Sequence, residues 1–260
     1  MIERVYDSII IGAGPGGLQA AIYLGRYNRD VLLLDRSGGR TWHAREIENV
    51  LTHPVIAGSE IVKRGIEQAR RFHVQIERKR VVSVRKENAL FIVSTADAVY
   101  HALHVVVASG VYDIFPPMGN VLRFLGRGYY TCLDCDGYKM TDKKVAVMGD
   151  RLEAVHAALA VRQMYTRSVT FIPYQFSPPE SAAEVLKEEG IAVVREEPVA
   201  ILGEKAVEGL ELRSGRKLAC EAIMASFGIK LNDAFLEGLS LKRDAAGFKY
   251  VVNSAFESSL

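Results

Sequence analysis

An α/β protein containing two strand–turn–helix units is predicted by three features of the sequence. Residues Tyr6 to Ile11 form an isoleucine-rich run that passes straight into Gly12-Ala13-Gly14-Pro15-Gly16-Gly17 and then into a stretch with helical spacing, LQAAIYLGRYN. The same order returns from Lys143 to Met148, through a turn at Gly149, into Leu152 to Gln163. Between them, Val105-Val106-Val107-Ala108-Ser109-Gly110 is wholly apolar and ends in small residues, as a buried strand approaching a flat cofactor would. Strands that alternate with helical stretches in this way build parallel sheets.

In the first unit each glycine has a distinct duty. Gly12 makes the tight turn, Gly14 lets backbone approach a pyrophosphate, and Gly17 lets helix and strand pack closely. The phosphates would lie at the helix N-terminus, where free amides and the macrodipole favour an anion. A second strand, Asp30 to Leu34, ends in Asp35, an acid suited to accept hydrogen bonds from an adenosine ribose. A lone glycine fingerprint is weak evidence. A strand before it, a helix after it and an acid at the end of the next strand make it specific.

Further along, residues 38–49 lack periodicity and are expected to form a loop across this cradle. Gly58 to Phe72 has helical spacing, with Ile61, Ile66, Ala69 and Phe72 on one face. Short strands are expected at 74–76, 81–85, 90–95 and 98–101, and later at 168–172, 192–195, 199–202, 209–212 and 222–225.

Cys132-Leu133-Asp134-Cys135-Asp136-Gly137 carries the most evident chemistry. Two thiols separated by two residues can close a small disulfide ring, and a carboxylate beside them could move a proton when it opens. The pair is also half of a structural zinc site, yet no second pair stands at a suitable spacing, and Cys220 is alone. A buried, inert pair is the third reading. The six histidines are scattered without ligand spacing, so no metal site is expected. Trp42, the only tryptophan, is as suited to packing as to stacking on a ligand ring.

With 260 residues the chain can bury two cores, and 33 Lys+Arg against 31 Asp+Glu leave a formal charge of +2. Nothing in that balance calls for nucleic acid or an anionic membrane. No apolar run reaches the roughly 18 residues of a membrane span. The N-terminal sequence has no signal-peptide pattern, and the three cysteines are too few for a secreted disulfide framework, so a soluble, cytoplasmic protein is expected.

Taken in order, GAGPGG at 12–17, Asp35, the GGR and IEN pieces within 38–49, ASG at 108–110 and CLDCDG at 132–137 resemble the low-molecular-weight thioredoxin reductases, FAD-dependent disulfide oxidoreductases. The resemblance implies two Rossmann-like domains of ββα type, the second inserted in the first. Residues 1–114 and 245–260 would bind FAD, and 115–244 would be the central domain carrying the cysteines. Flavin contacts are then expected at Gly12, Gly14, Pro15, Gly16, Gly17, Asp35, Arg36, Gly39, Arg40, Asn49, Val82, Ala108, Ser109 and Gly110. By the same resemblance Cys135 is the thiol nearer the flavin, Cys132 attacks the disulfide of a protein substrate such as thioredoxin, and Asp136 handles the proton. A homodimer and a domain rotation between two states are also implied.

The second cradle departs from the family. Its turn reads Gly149-Asp150-Arg151-Leu152-Glu153-Ala154, with arginine at the middle glycine's place and an acid beside it. After the next strand, Pro173-Tyr174-Gln175 stands where the family carries a histidine and paired arginines for the 2′-phosphate of NADPH. NADPH is therefore not the expected electron donor, although Arg151 could itself hold a phosphate in an unusual way. The chain looks like the subset of the family reduced by ferredoxin, and a second bound flavin, as in another divergent subset, stays open. A dithiol oxidase passing electrons to oxygen and a non-enzymatic redox sensor are the rival readings. The stretch 247–253 resembles the lead into the family's closing Gly-Asp motif and helix, which do not follow before Leu260.

Overall fold

The structure, a computed structural model, describes residues 4–260, and the chain divides into two compact units. One holds the chain up to Tyr112 together with Leu231–Leu260, and the other holds Asp113–Lys230.

The first unit runs β1 (Val5–Ile11), α1 (Pro15–Arg26), β2 (Val31–Leu34), α2 (Arg40–His43), α3 (Gly58–Arg70), β3 (Gln75–Glu77), β4 (Val81–Glu87), β5 (Leu90–Thr95) and β6 (Val99–Val107). These strands form one sheet in the order β3-β2-β1-β6-β5-β4. β1 pairs in parallel with β2 (Ile9↔Leu32) and with β6 (Ile10↔Val106). All four residues of β2 are buried, the signature of a strand covered on both faces. β4 and β5 form an antiparallel hairpin, with Asn88 in the left-handed region at its turn, and β5 attaches to β6 (Ile92↔His101). The strands expected separately at 98–101 and 105–110 are one. No glycine or proline interrupts 99–107, so the ladder against β1 continues through Ala102 and His104.

Helices cover one face of this sheet. Leu18, Ala21 and Ile22 of α1 and Val62 and Ala69 of α3 join Ile10, Val31 and Leu33 in one core. Ala69 is buried and Ile66 and Phe72 pack against this core as the spacing predicts, while Val62 takes the buried place expected of its neighbour Ile61. On the opposite face Tyr6, Ile9, Leu32, Val84 and Val93 pack with Phe235, Leu236 and Leu239 of a 3₁₀ turn at Ala234–Leu239. The segment 231–244 was expected in the inserted domain, yet it belongs to the first unit because these three apolar side chains complete that core. Within 38–49, the expected loop contains α2 and is pinned by bridges Ile47↔Ile56 and Val50↔His53.

The second unit follows with β7 (Val111–Asp113) at its entry, α4 (Val121–Phe124), β8 (Tyr129–Tyr130), α5 (Leu133–Asp136), β9 (Val145–Gly149), α6 (Leu152–Met164), β10 (Val169–Pro173), α7 (Glu180–Glu188), β11 (Ala192–Val193), β12 (Pro198–Leu202), β13 (Gly209–Leu212), β14 (Lys217–Ala219), β15 (Ala222–Ser226) and, at its exit, β16 (Ile229–Leu231). β7 and β16, where the chain passes between units, pair with each other. The main sheet, β11-β10-β9-β15-β8, is parallel throughout, and β12-β13-β14 is an antiparallel meander. α6 turns Ala154, Val155, Ala158 and Val161 onto this sheet.

Replacing Leu236, 4% exposed, by alanine removes apolar volume from the core under β4. Leu236→Ala is expected to destabilise the first unit by about 2–4 kcal/mol. Urea unfolding followed by circular dichroism checks this, and an unchanged midpoint would place 231–244 outside that core.

Candidate active site and cofactor cradle

The tips of three parallel strands are tied together beneath the first glycine turn. Gly12 N–H donates to the Leu34 carbonyl (2.8 Å) and Ala108 N–H to the Ile11 carbonyl (2.9 Å). Gly12 has φ 108°, and a Cβ there would collide with the Ala108 carbonyl. A Cβ on Gly17 would overlap the Gly12 carbonyl and stand 3.1 Å from the Ala108 Cβ. These two glycines are required by the chain's own packing. Gly14 and Gly16 are different, since a Cβ on either meets nothing within 4 Å. Their bare backbone borders open space at the start of α1, where Gly14 is the N-cap and Pro15 the first helical residue. Protein packing does not explain them, whereas a close-approaching phosphate would, so the cradle fits the pyrophosphate of a dinucleotide cofactor.

Asp35 closes this cradle. One carboxylate oxygen accepts from Ala13 N–H (2.9 Å) and the other from Ser37 N–H (2.6 Å). The group is thereby fixed in orientation and retains lone pairs for ribose hydroxyls. Ser109 and Gly110 are held by Asn232, whose side-chain amide donates to the Ser109 carbonyl (3.1 Å) and whose backbone N–H donates to that of Gly110 (3.0 Å). Asn232 is absent from the residues selected by sequence. Arg36 lies over the Tyr112 ring, 5.1 Å from its centroid. Gly39 caps α2 and Arg40 opens it, while Asn49 lies exposed in the following loop. Val82 stands at an irregularity in β4, the edge strand remote from β2, with its side chain 53% exposed. The structure thus brings together Gly12–Gly17, Asp35 and Ala108, and leaves Val82 on another strand of the same sheet.

In the second unit Cys132 and Cys135 form a disulfide, S–S 2.01 Å, with Cα atoms 5.3 Å apart. Cys132 is extended and caps the single turn of α5, and Asp136 N–H donates to the Cys132 carbonyl (3.1 Å). Leu133 packs on the core below, and Met140, fully buried, anchors the 3₁₀ turn Gly137–Met140 that follows. Gly137 allows this turn to rest on an aromatic ring, because a Cβ there would be 2.6 Å from the Tyr165 side chain. Asp136 lies beside the disulfide in sequence and pairs with Lys139, 3.4 Å between charged atoms. Cys220 is 3% exposed, and burial pushes its thiol up to about 12. Among the described residues no group of three or more His, Cys, Asp or Glu is placed to hold a metal, and no helix is long and apolar enough to cross a membrane.

The second glycine turn is occupied by protein. A Cβ on Gly149 would overlap the Ser226 carbonyl and the Ala154 methyl, so this glycine and this alanine keep the close strand–helix contact. Arg151 has extended backbone, φ −159° and ψ 177°, which any residue adopts. Its guanidinium grips Asp150 with both ends (2.8 and 3.0 Å) and lies against Gly228, where a Cβ would be 3.1 Å from Nη1. It therefore crosses from the tip of β9 to the chain leaving β15, the crevice in which a doubly wound sheet receives its ligand. Past β10 a cavity of about 310 Å³ is lined by Pro173, Gln175, Phe176, Ser177, Arg195 and Glu197. Arg195 is the one cation in that lining, and Glu197, itself paired with Arg213, faces the same space.

Two α/β units, one with a dinucleotide cradle and the other with a redox disulfide, define a two-domain cofactor-dependent disulfide oxidoreductase. Residues 6–260 match the pyridine nucleotide-disulphide oxidoreductase family. A thioredoxin reductase of Treponema pallidum is 31% identical over 240 residues, covering 88% of this chain and 78% of that protein. That of Aquifex aeolicus is 31% identical over 222 residues, covering 83% and 69%. The solved thioredoxin reductase of Streptococcus pyogenes shares the fold, with a TM-score of 0.89 at 23% identity over 98% of this chain and 86% of that one. The chain belongs to the pyridine nucleotide-disulphide oxidoreductase family, among its thioredoxin reductase-like members, and is an FAD-dependent disulfide oxidoreductase.

Alkylation of the reduced, native protein with iodoacetamide near pH 8 is expected to label Cys132 and Cys135 and to spare Cys220. The reactive thiolate of Cys220 forms only as pH rises toward 12, far above the assay. Peptide mass spectrometry reads the outcome, and equal labelling of all three cysteines would contradict the burial of Cys220.

Proposed function

We propose that this enzyme reduces a disulfide of thioredoxin or a similar small thiol protein through Cys132 and Cys135, drawing electrons from a donor other than NADPH. The intact Cys132–Cys135 disulfide beside Asp136 carries the first part of this reading. The cradle residues Gly12, Gly14, Gly16 and Asp35 would hold the pyrophosphate and ribose of FAD, which when bound supplies a two-electron carrier. In the dithiol form, the Cys132 thiolate attacks one sulfur of the partner's disulfide. A mixed disulfide forms, and the expelled partner thiolate takes a proton. The Cys135 thiolate then attacks Cys132 Sγ, closing the Cys132–Cys135 bond and releasing the second partner thiolate. Two electrons have left the pair for the partner. Asp136 carries the proton between cysteine and solvent.

Support for an unusual donor comes from Arg151. Its guanidinium, locked on Asp150 and resting against Gly228, fills the place where a pyrophosphate would approach the backbone, and Asp150 adds a negative charge there. Beyond β10 the cavity offers Gln175, Ser177 and Arg195, with Glu197 opposing the cation. That is a poor seat for a 2′-phosphate dianion. Ferredoxin is the donor class that needs no such seat, and the likeness to ferredoxin-reduced members of the family points to it. The homodimer comes from the same resemblance.

Anaerobic titration of the oxidised enzyme with NADPH is expected to leave the flavin absorbance unchanged, while reduced ferredoxin bleaches it. Rapid stoichiometric bleaching by NADPH would refute the donor assignment. Cys135→Ser is expected to trap a partner on Cys132 as a stable mixed disulfide visible on non-reducing gels, whereas Cys132→Ser traps none. The reverse pattern would exchange the two cysteines' roles.

A further inference from the structure

We propose that Lys139 is a positioning residue of the redox turn, its ammonium holding the Asp136 carboxylate in place and offsetting its charge beside the Cys132–Cys135 pair. The inference rests on the part given to Asp136 above. Lys139 follows Asp136 by three residues, on the 3₁₀ turn Gly137–Met140, where side chains three apart stand over one another. The charged atoms are 3.4 Å apart, and the two side chains are only 21% and 27% exposed. The ion pair is therefore less screened than a fully solvated one.

The turn beneath this pair is held from both sides. Met140 is fully buried in the core of the second unit, and the Thr141 hydroxyl and N–H both donate to the Tyr138 carbonyl (2.8 and 3.2 Å). The Tyr165 ring supports the backbone of Gly137 from the end of α6, and Asp142 N–H donates to the Tyr165 carbonyl (3.1 Å). Lys139 is thus presented to Asp136 by a packed, hydrogen-bonded turn, with its ammonium 5.6 Å from the Tyr138 ring centroid. Other titratable groups on the packed elements are Asp134 of α5, Tyr138 of the turn itself and Tyr165 at the end of α6.

The chemistry gives this cation a task. Reduction of the disulfide by two electrons leaves two sulfurs, and until both are protonated at least one bears a negative charge. A carboxylate at the next residue repels that charge. A cation fixed on the carboxylate lowers the repulsion and keeps the proton-carrying oxygen oriented. Nothing in the disulfide itself supplies this balance, because α5 is one turn long and its first turn carries Asp134 and Asp136.

The test is the redox equilibrium of the pair in the full-chain protein, set by dithiothreitol buffers and read by acid quench, alkylation and peptide mass spectrometry. Lys139→Met is expected to move the ratio about threefold toward the disulfide, the size expected of a partly screened ion pair. Lys139→Arg restores the original ratio. In an Asp136→Asn background, Lys139→Met is expected to shift the ratio less, because the carboxylate it positions is gone and only the direct pull of the ammonium on a thiolate remains. An unchanged ratio in Lys139→Met alone, or an equal shift in both backgrounds, would overturn the proposal. If Asp136→Asn by itself exchanges thiols with a partner disulfide at the original rate, the reading of Asp136 falls rather than the ion-pair geometry.

Discussion

The absence of side chains at Gly12 and Gly17 is the constraint on which the first unit depends. With no Cβ at either place, the start of α1 can approach the tips of β1 and β6 closely enough for Gly12 N–H to reach Leu34 and for Ala108 N–H to reach Ile11. Three strand ends are then held in one plane, and Asp35, at the end of the next strand, is delivered to Ala13. The contact is steric, so its loss could not be repaired by a neighbouring rotamer: the atoms in the way are backbone carbonyls.

The second unit repeats this contact with different atoms. Gly149 and Ala154 stand where Gly12 and Gly17 stand in the first, and the strand–helix approach survives with Ser226 supplying the facing carbonyl. What differs is the position between them. Gly14 leaves open space, whereas Arg151 fills it with a guanidinium tied to its own neighbour. Scaffold and ligand seat are thus separable: small residues, Gly12 and Gly17 in one turn and Gly149 and Ala154 in the other, keep the packing contact, whereas the places of Gly14 and Gly16, which packing does not require, hold Arg151 and Glu153. Physical chemistry predicts that pattern, because a residue needed only by a ligand is free to change without cost to folding.

The cradle, the paired cysteines and the central strands were legible because each combines a local pattern with a steric reason: glycine spacing, thiol spacing, continuous apolar runs. Elements set by tertiary contact were not. The 3₁₀ turn at Ala234–Leu239 is too short for periodicity to show, and only its contact with β4 reveals that Phe235 and Leu236 belong to the first core. α7 is not among the elements read from the sequence, although Pro179 before it, Gly190 after it and Ala-Ala-Glu-Val-Leu within it are helix signals. The bond from Asn232 to Ser109 joins residues 123 apart in sequence, and no local pattern reports such a pairing. The Lys139–Asp136 pair was within reach, since an acid three residues before a lysine is a readable spacing, but its value lay in the burial that only the structure shows.

One helix connects the two unusual features of the second unit. α6, Leu152–Met164, is capped by Arg151 and Tyr165, so its 13 residues, about 20 Å of helix, lie between the altered glycine turn and the ring that supports Gly137. The Arg151 side chain at one end leaves the helix in place against the strand, and with it the Tyr165 ring under Gly137. The extended backbone of Arg151 turns the guanidinium sideways onto Asp150 instead of lifting the helix. The altered glycine turn and the seat of the disulfide are therefore joined by a single helix, so a displacement at Arg151 would be carried to Gly137.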